Sequence, residues 1–405
     1  MTDIESFDVP DFRPSHDRHS GLLMFADDWG RHPSSPQHLI RRIRDEIPVL
    51  WVNTIGTRSV GANRITISRG FEKIRNWSRG LKQVHDQMWV VDVPMLPMIG
   101  SRAARYTSQV MVTQYLRWCL KQIQMTQPTV MTTVPHVSWM LGDVGQEKMV
   151  YYCTDDFSHW PGADQETLVQ SERDLVSGAD LVLAVSRKLM DRHCDSADCR
   201  YFPHAVDFDH FSLATGAYGV HPEMERLPGP RIGYFGLIYE KLDFELLTAI
   251  ARAHSDASLV LIGPTAWCPE DFASLPNVTL TGAQPYESLP EWLAGLDVLL
   301  MPYRSDDEMI RQSSPLKLRE CLATGKPTVC VDVPEARRYE PFVRVTSSRD
   351  EFLRAVYDAV REKDESAREA RQEFVRVETW DNRARQLLEM LSGISHPGLK
   401  VVHAG

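Results

Sequence analysis

The sequence predicts an α/β protein with two Rossmann-like, doubly wound domains that face a cleft. Short apolar runs alternate with longer segments of helical period, which is typical of a parallel sheet flanked by helices. With 405 residues, the chain is too long for one ordinary core. A stretch rich in Gly and Pro, LATGAYGVHPEMERLPGPR at residues 213–231, separates two series of such runs.

The first series contains six strand candidates and two long helix candidates. The helices cover Pro36–Asp45 and Ala103–Gln124. The strand candidates are, in order, GLLMFA, VLWVN, MWVVDV, TVMTTV, MVYYC and DLVLAV.

The second series begins with RIGYFG and has the same build. Its further strand candidates are SLVLIG, NVTL, DVLLMP, PTVCVD and FVRVT. Near the end, WDNRARQLLEML places Trp380, Leu387 and Leu391 at helical spacing, so this helix needs an apolar surface. We expect the helix to return to the first domain.

These patterns give a predicted organisation for the whole chain. It consists of a mobile polar tail (1–18), a first domain (19–210), a linker (211–229), a second domain (230–376), and a terminal helix and tail that pack back on the first domain (377–405).

Composition excludes several classes of protein. The chain is 43% hydrophobic and 25% charged, as soluble globular proteins are. It shows neither an apolar run long enough to span a bilayer nor a signal segment, so we expect the cytoplasm. A formal net charge of −10 argues against a general nucleic-acid binder. Seven irregularly spaced cysteines indicate reduced thiols, and the cluster of His193, Cys194 and Cys199 lacks a second pair of zinc ligands, so no metal is predicted.

Two adjacent carboxylates follow an apolar segment in VYYCTDDFSHWPG, residues 150–162. Ligands bind beyond the carboxyl ends of strands in open α/β sheets, so Asp155 and Asp156 are candidate catalytic groups. A carboxylate whose pKa is near or above its ordinary value can take a proton from an attacking hydroxyl. Asp156 is the less favoured candidate, with a loop cap or an acceptor contact as its alternative roles. A solvated turn is the ordinary alternative for both.

The most specific stretch is SSPLKLRECLATGKPTVCVDVPE, residues 313–335, which predicts a helix starting at Pro315. Backbone N–H groups at such a start bind phosphate, Ser314 lies in that turn, and Lys317 adds a positive charge. A carboxylate at Glu320 can accept both hydroxyls of a ribose. The alternative for Lys317 and Glu320 is a charge pair on a solvated helix.

The same stretch resembles the donor-binding segment of nucleotide-sugar glycosyltransferases of the GT-B type, with a GT4-like pattern. RIGYFGLIYEKLDFELL and TGAQPYESLPEWLAGLDVLLMPY resemble other parts of that domain. FADDWGRHPSSPQHLIRRI and VYYCTDDFSHW resemble segments of bacterial exopolysaccharide and teichuronic-acid glycosyltransferases, including the xanthan glucuronosyltransferase. The resemblance implies that Glu320 binds the donor ribose, that neighbouring groups hold the diphosphate, and that Asp155 is the catalytic base.

Two departures from the family pattern leave the mechanism open. The commonest retaining members carry two Glu residues seven apart, but Ser313 stands seven before Glu320. Gly236 occupies the position of a family Arg, while Lys241 matches the family Lys. Donor binding survives these departures, because Lys241 and the helix start still neutralise a diphosphate. Asp155 favours an inverting transfer.

The remaining candidates line the two predicted substrate sites. Tyr303, after DVLLMP, is placed in the nucleotide pocket, with an interdomain aromatic as the alternative. Asp28 and Trp29 follow the first strand, where acceptor contacts are expected, with a structural turn as the alternative. His204 is also an acceptor candidate, and its alternative is a packed linker residue.

A basic segment suggests a membrane contact. From Arg58 to Lys82, seven basic residues accompany a single acid, and apolar residues recur near helical spacing. This pattern is typical of a helix on an anionic membrane surface. The alternative is an amphipathic helix packed on its own core. We expect a cytoplasmic protein with peripheral contact at the inner face of the plasma membrane.

The predicted function is transfer of a sugar from a nucleotide-diphosphate donor, a UDP-sugar, to a hydroxyl of a lipid-linked or growing cell-surface glycan. The enzyme is expected to be a hexosyltransferase without a cofactor or a metal, because lysines and a helix dipole stabilise the leaving diphosphate. The alternatives are a UDP-sugar epimerase or a phosphorylase of the same fold, and a non-catalytic scaffold in a polysaccharide assembly complex.

Overall fold

The computed structural model describes residues 20–31, 33–53, 80–93, 102–140, 142–159, 165–215, 219–314 and 316–394. The predicted tail (1–18), residues 58–79 of the basic segment and the chain end (395–405) lie outside these ranges. The chain divides into two compact units, residues 1–150 and residues 151–405. The domain boundaries given above stay a prediction. Among the helices in these ranges, none has the length and apolar character needed to cross a bilayer.

The first sheet has eight strands. They are β1 (Ser20–Ala26), β2 (Val49–Asn53), β3 (Lys82–His85), β4 (Met88–Asp92), β5 (Gln127–Thr132), β6 (Lys148–Cys153), β7 (Leu181–Ala184) and β8 (Cys199–Tyr201). Their order across the sheet is β3-β4-β2-β1-β5-β6-β7-β8. β1 pairs in parallel with both β2 and β5, whereas β3 pairs antiparallel with β4. All six predicted strands are confirmed, and β3 and β8 are additions.

The second sheet has six strands. They are β9 (Arg231–Phe235), β10 (Ser258–Ile262), β11 (Val278–Leu280), β12 (Val298–Met301), β13 (Thr328–Val331) and β14 (Arg344–Thr346). The order is β11-β10-β9-β12-β13-β14, and every neighbouring pair is parallel. Each predicted strand of this half is confirmed. The strand order reverses between β9 and β12, so the crevice beyond their carboxyl ends is the expected place for a ligand.

Helices connect the strands of both sheets. In the described residues they are α1 (Ser35–Ile43), α2 (Arg102–Gln122), α3 (Gln165–Gly178), α4 (Arg187–His193), α5 (Phe208–Ser212), α6 (Pro222–Glu225), α7 (Phe244–Ala253), α8 (Glu270–Ala273), α9 (Leu289–Ala294), α10 (Glu308–Gln312), α11 (Leu316–Ala323), α12 (Arg349–Arg361), α13 (Glu365–Val375) and α14 (Trp380–Ser392). The central strands are buried apolar runs because helices cover both faces of such a sheet. The predicted doubly wound α/β class is confirmed.

The last helix returns to the segment that follows β8. The backbone N–H of Trp380 donates to the carbonyl of Val206 at 3.3 Å, and the Arg383 guanidinium lies 5.4 Å from the centre of the Phe202 ring. Trp380 and Leu387 are buried. Val206 and Phe202 fall in the predicted first domain (19–210), but together with this helix they belong to the compact unit of residues 151–405, so the return of the helix to the first domain stays a prediction.

Candidate active site

Two glycine turns bring the ends of β9 and β10 into close contact. Gly236 has φ +127° and Gly263 has φ +144°, conformations that favour glycine. The Gly236 N–H donates to the Ile262 carbonyl at 2.8 Å, and a Cβ on Gly263 would lie 2.0 Å from the Gly236 oxygen. The two glycine backbones therefore form a closely packed floor at the strand-order reversal.

The Lys317 side chain crosses this floor. A Cβ on Gly236 would lie 2.0 Å from Lys317 Cε and 2.7 Å from its Nζ. The family Arg is absent here, and the space that a side chain at 236 would fill is taken by the lysine. Its Nζ also lies 6.0 Å from the centre of the Phe235 ring. Lys317 thus places a cation at the carboxyl end of β9, where a diphosphate is expected.

Glu320 shares this environment with Lys317. Burial raises the pKa of Glu320 to about 7, while the Lys317 charge lowers it and Asp207 raises it. Both residues lie on α11, one turn apart. The pair is therefore half-buried beside the glycine floor rather than a charge pair on a solvated helix. A carboxyl group in this position can exchange hydrogen bonds with a diol.

Lys241 and Tyr303 occupy the loops after β9 and β12. Lys241 forms an ion pair with Asp307, the residue whose other carboxylate oxygen caps α10 by accepting from the Ile310 N–H at 3.2 Å. Tyr303 packs edge-on against Tyr234 with ring centres 6.2 Å apart, and burial raises its pKa well above the ordinary value. Lys241 must exchange Asp307 for phosphate if it is to hold a donor.

Ser314 lies next to the start of α11, but its hydroxyl already has a donor. The side chain is buried and its Oγ is 3.4 Å from Nη1 of Arg319, whose side chain is fully buried. Arg319 in turn donates from Nε to Glu378 at 2.8 Å. The Ser314 hydroxyl therefore accepts a hydrogen bond from a buried arginine, and the residue lies close to the helix start.

Asp155 stands at the carboxyl end of β6, as predicted. Burial raises its pKa to about 7, Thr154 lowers it by a hydrogen bond of 3.4 Å, and the Asp156 charge raises it further. Tyr239, in the loop after β9, has its pKa raised to about 12 by burial and by the charges of Asp307 and Asp155. Asp155 is therefore within electrostatic reach of the loop that carries Lys241.

Asp156 has a different environment. Arg192 donates to it through both terminal nitrogens, at 2.6 and 2.8 Å, and Ser158 donates through its N–H at 3.1 Å and its hydroxyl at 2.5 Å. The carboxylate is fully buried and engaged by these donors. This arrangement favours the loop-cap role for Asp156 and leaves Asp155 as the carboxylate suited to proton transfer.

Arg192 and Gln312 contact the candidate site residues, and the sequence analysis did not find them. The Arg192 guanidinium also donates to the Gln312 side-chain oxygen, and Gln312 donates to Glu308 at 3.0 Å. The Ser186 hydroxyl donates to the Gln312 carbonyl at 2.8 Å. These contacts join the loop after β6 to the segment before α11. The partners stand 36 and 120 residues from Arg192, so no local spacing signals them.

Asp28 and Trp29 lie in a turn after β1 with several internal contacts. The backbone N–H of Trp29 donates to Asn53 Oδ1 at 2.9 Å, and the Trp29 ring packs edge-on against Trp51 with ring centres 4.8 Å apart. Asp28 forms an ion pair with Arg31 at 3.4 Å. These contacts support a structural turn. The acceptor role stays a prediction, in which this turn would hold Asp28 and Trp29 in place.

His204 is buried beside the C-terminal helix. Burial lowers its pKa to about 3, and the charges of Arg319 and Arg383 lower it further. The imidazole is therefore neutral at physiological pH. This environment favours the packed linker residue over the acceptor contact.

Comparisons with known proteins match parts of this chain to glycosyltransferases. Residues 229–362 match the family model described as glycosyl transferases group 1, and these residues include Gly236, Lys317 and Glu320. A curated Bacillus subtilis protein, provisionally named teichuronic acid biosynthesis glycosyltransferase TuaH, is 29% identical over 196 residues. That alignment covers 45% of this chain and 48% of TuaH, so it spans about half the length of this relative.

Solved structures match nearly the whole chain. Sucrose-phosphate synthase of Thermosynechococcus elongatus has a TM-score of 0.67 at 12% identity, covering 92% of this chain and 98% of that one. HepE of Anabaena, in complex with UDP and glucose, has a TM-score of 0.66 at 13% identity, covering 92% and 100%. At such low identity these matches establish the fold. The fold is therefore GT-B, and residues 229–362 are similar to glycosyl transferases group 1, a resemblance that TuaH supports over about half of its length.

Proposed function

We propose that the chain transfers a sugar from a nucleotide-diphosphate donor, a UDP-sugar, to a hydroxyl of a glycan. The observation that carries this proposal is the placement of Lys317 across the Gly236 floor with Glu320 beside it. This placement occurs at the strand-order reversal of the second sheet, where α/β proteins bind nucleotides. UDP is the favoured nucleotide because HepE was solved with UDP and glucose.

In this proposal the donor is held by groups from α11 and from the loop after β9. Lys317 and the start of α11 contact the diphosphate, and Glu320 binds the ribose hydroxyls. Lys241 leaves Asp307 and joins the diphosphate when the donor enters. Two lysines and a helix start stabilise the negative charge that develops on the leaving diphosphate, so we propose that transfer needs neither metal nor cofactor.

Asp155 activates the acceptor. Its carboxylate takes the proton of the acceptor hydroxyl, whose oxygen forms a bond to the anomeric carbon as the bond to the diphosphate breaks. Direct displacement of this kind inverts the anomeric configuration. A pKa of about 7 suits a base that works near neutral pH.

We propose a lipid-linked or growing cell-surface glycan as the acceptor. This part of the proposal rests on the name of TuaH, which refers to teichuronic acid, and on the basic segment from Arg58 to Lys82. Large apolar side chains on α2 add support, since Tyr106 and Trp118 are 69% and 48% exposed. Aromatic and basic side chains together favour peripheral contact with an anionic membrane.

The first test is thermal unfolding with UDP, GDP, ADP or dTDP at saturating concentration without added metal. A ligand at about 100 times its dissociation constant adds roughly 2.7 kcal/mol to the free energy of unfolding. We expect UDP to raise the Tm by several degrees and the other nucleotides to raise it less. A chain that responds to none of them would have the properties of a phosphorylase or a scaffold instead.

Lys317→Ala is expected to weaken UDP binding by about 10- to 150-fold. A hydrogen bond to a charged group contributes about 1.5–3 kcal/mol, which corresponds to that change in the dissociation constant. Calorimetric titration with UDP gives the constant directly. Lys363→Ala is the matched control, because Lys363 is exposed and lies outside the site. Equal dissociation constants in Lys317→Ala and the control would remove Lys317 from the donor site.

A further inference from the structure

Three metal-ligating side chains from separate elements meet behind the carboxyl end of β6. They are Cys153 at the end of β6, Glu172 on α3 and His193 at the end of α4. Cys153 Sγ lies 3.9 Å from His193 Nε2 and 4.0 Å from Glu172 Oε1, and the last two atoms are 3.8 Å apart. In the part of the chain that the structure describes, these three side chains form a group whose ligand atoms lie close enough together to hold one metal ion.

We propose that Cys153, Glu172 and His193 form a Zn²⁺ site. Zinc accepts one sulfur, one nitrogen and one oxygen ligand, and prefers tetrahedral geometry. With usual bond lengths, ligand atoms in such a site lie about 3.4–3.6 Å apart, so each pair here needs to close by no more than about 0.4 Å. A water molecule can supply the fourth ligand, as in other sites with three protein ligands.

Burial separates this cluster from an adventitious surface site. Cys153, Glu172 and His193 have 0%, 5% and 6% of their surface exposed. The Tyr151 hydroxyl donates to Glu172 Oε1 at 2.7 Å, which orients the carboxylate as supporting hydrogen bonds do around metal ligands. Buried groups of this type need either neutrality or a compensating charge.

The ligand charges of the cluster would balance those of a zinc ion. Zinc would release the thiol proton to solvent, and Zn²⁺ with a thiolate and a carboxylate is neutral overall.

The site differs from the motif that the sequence pointed to. His193 was grouped there with Cys194 and Cys199, but its Nε2 lies beside Cys153. Cys194 is exposed and contacts the Asp191 carbonyl at 3.4 Å. A bound ion would cross-link β6, α3 and α4 and so stabilise the loop that carries Asp155, a structural rather than a catalytic role.

The test measures metal bound by the full chain. Chelator-treated protein is equilibrated with Zn²⁺, loosely bound ion is removed, and metal is counted per chain. We expect one equivalent for the wild type and almost none for Cys153→Ser and His193→Ala. The double variant Cys194→Ser/Cys199→Ser is the matched control and should keep its zinc. Loss of zinc from this control, or a wild type that retains no zinc, would overturn the proposal.

The absorption spectrum of bound Co²⁺ is a second measurement. It uses the wild-type protein and so does not depend on whether a variant folds. Co²⁺ bound to a thiolate shows a ligand-to-metal charge-transfer band, which we expect in the wild type and in the double-variant control. The wild type should also unfold at higher temperature with Zn²⁺ than with chelator, because the ion binds the folded state. Absence of the Co²⁺ band from wild-type protein would exclude coordination by Cys153.

Discussion

Asp155→Asn is expected to lower kcat by about 10²- to 10⁴-fold while the dissociation constant of UDP stays unchanged. The carboxylate would remove the acceptor proton in the transition state, whereas Lys317 and Glu320 would hold the donor. An amide has nearly the same size but cannot take that proton. Single-turnover transfer and calorimetric UDP binding measure the two quantities separately.

Asp191→Asn is the matched control, because Asp191 is an exposed carboxylate on α4. It should keep wild-type kcat. An Asp155→Asn enzyme with kcat within twofold of this control would eliminate Asp155 as the base, even if UDP binding confirms the donor site.

The proposed base would also set the pH dependence of turnover. Burial raises the pKa of Asp155 to about 7, so the group is protonated and inactive at lower pH. We expect kcat to fall about tenfold per pH unit below that value. Burial raises the pKa of Glu320 to about 7 as well, so both ionisations fall in the same range. The fall of kcat at low pH should persist in Glu320→Gln. The activity that remains in Asp155→Asn should no longer depend on pH in this range.

Glu378→Ala is expected to lower the free energy of unfolding by about 3–5 kcal/mol, because it leaves a buried arginine without its carboxylate. Arg319 has no exposed surface, and its Nε donates to Glu378 at 2.8 Å. Arg338 donates to the other carboxylate oxygen at 3.1 Å, and the Tyr339 hydroxyl donates at 3.0 Å. Urea unfolding followed by tryptophan fluorescence measures the change.

Acid should reveal the same network. Burial alone would raise the pKa of Glu378, but Arg319 and Arg338 hold it below the ordinary value. Its contribution is therefore present above the unfolded-state pKa and is lost as the pH falls through the folded-state pKa. Glu373→Ala removes an exposed pair with Arg376 and should cost about 0–1 kcal/mol. Equal losses for the two variants would contradict a buried network at Glu378.

The sequence predicted the apolar strands of both sheets but not the two polar edge strands of the first sheet. Apolar runs such as LVLA in β7 mark strands that are covered on both faces. β3, with the sequence KQVH, and β8, with CRY, lie at the two edges of the first sheet and are only partly buried. A partly buried strand does not require apolar side chains, so these two strands show no apolar run in the sequence.

The candidate site was predictable where topology alone determines position. Asp155 follows a strand, and Lys317 follows a helix start, so a parallel sheet places both at carboxyl edges. The engagement of Asp156 by Arg192 depends on how α4 packs, which the sequence near Asp156 does not encode. The same holds for the occupation of Ser314 by Arg319 and for the meeting of Cys153 with Glu172.

The guanidinium of Arg192 binds two side chains at once, which limits the substitutions that this part of the chain can accept. One planar group serves Asp156 and Gln312, so the substitutions open to one position depend on what occupies the other. Residues that share a partner have non-additive effects. Substitutions at positions 156 and 312, far apart in sequence, are therefore expected to be epistatic.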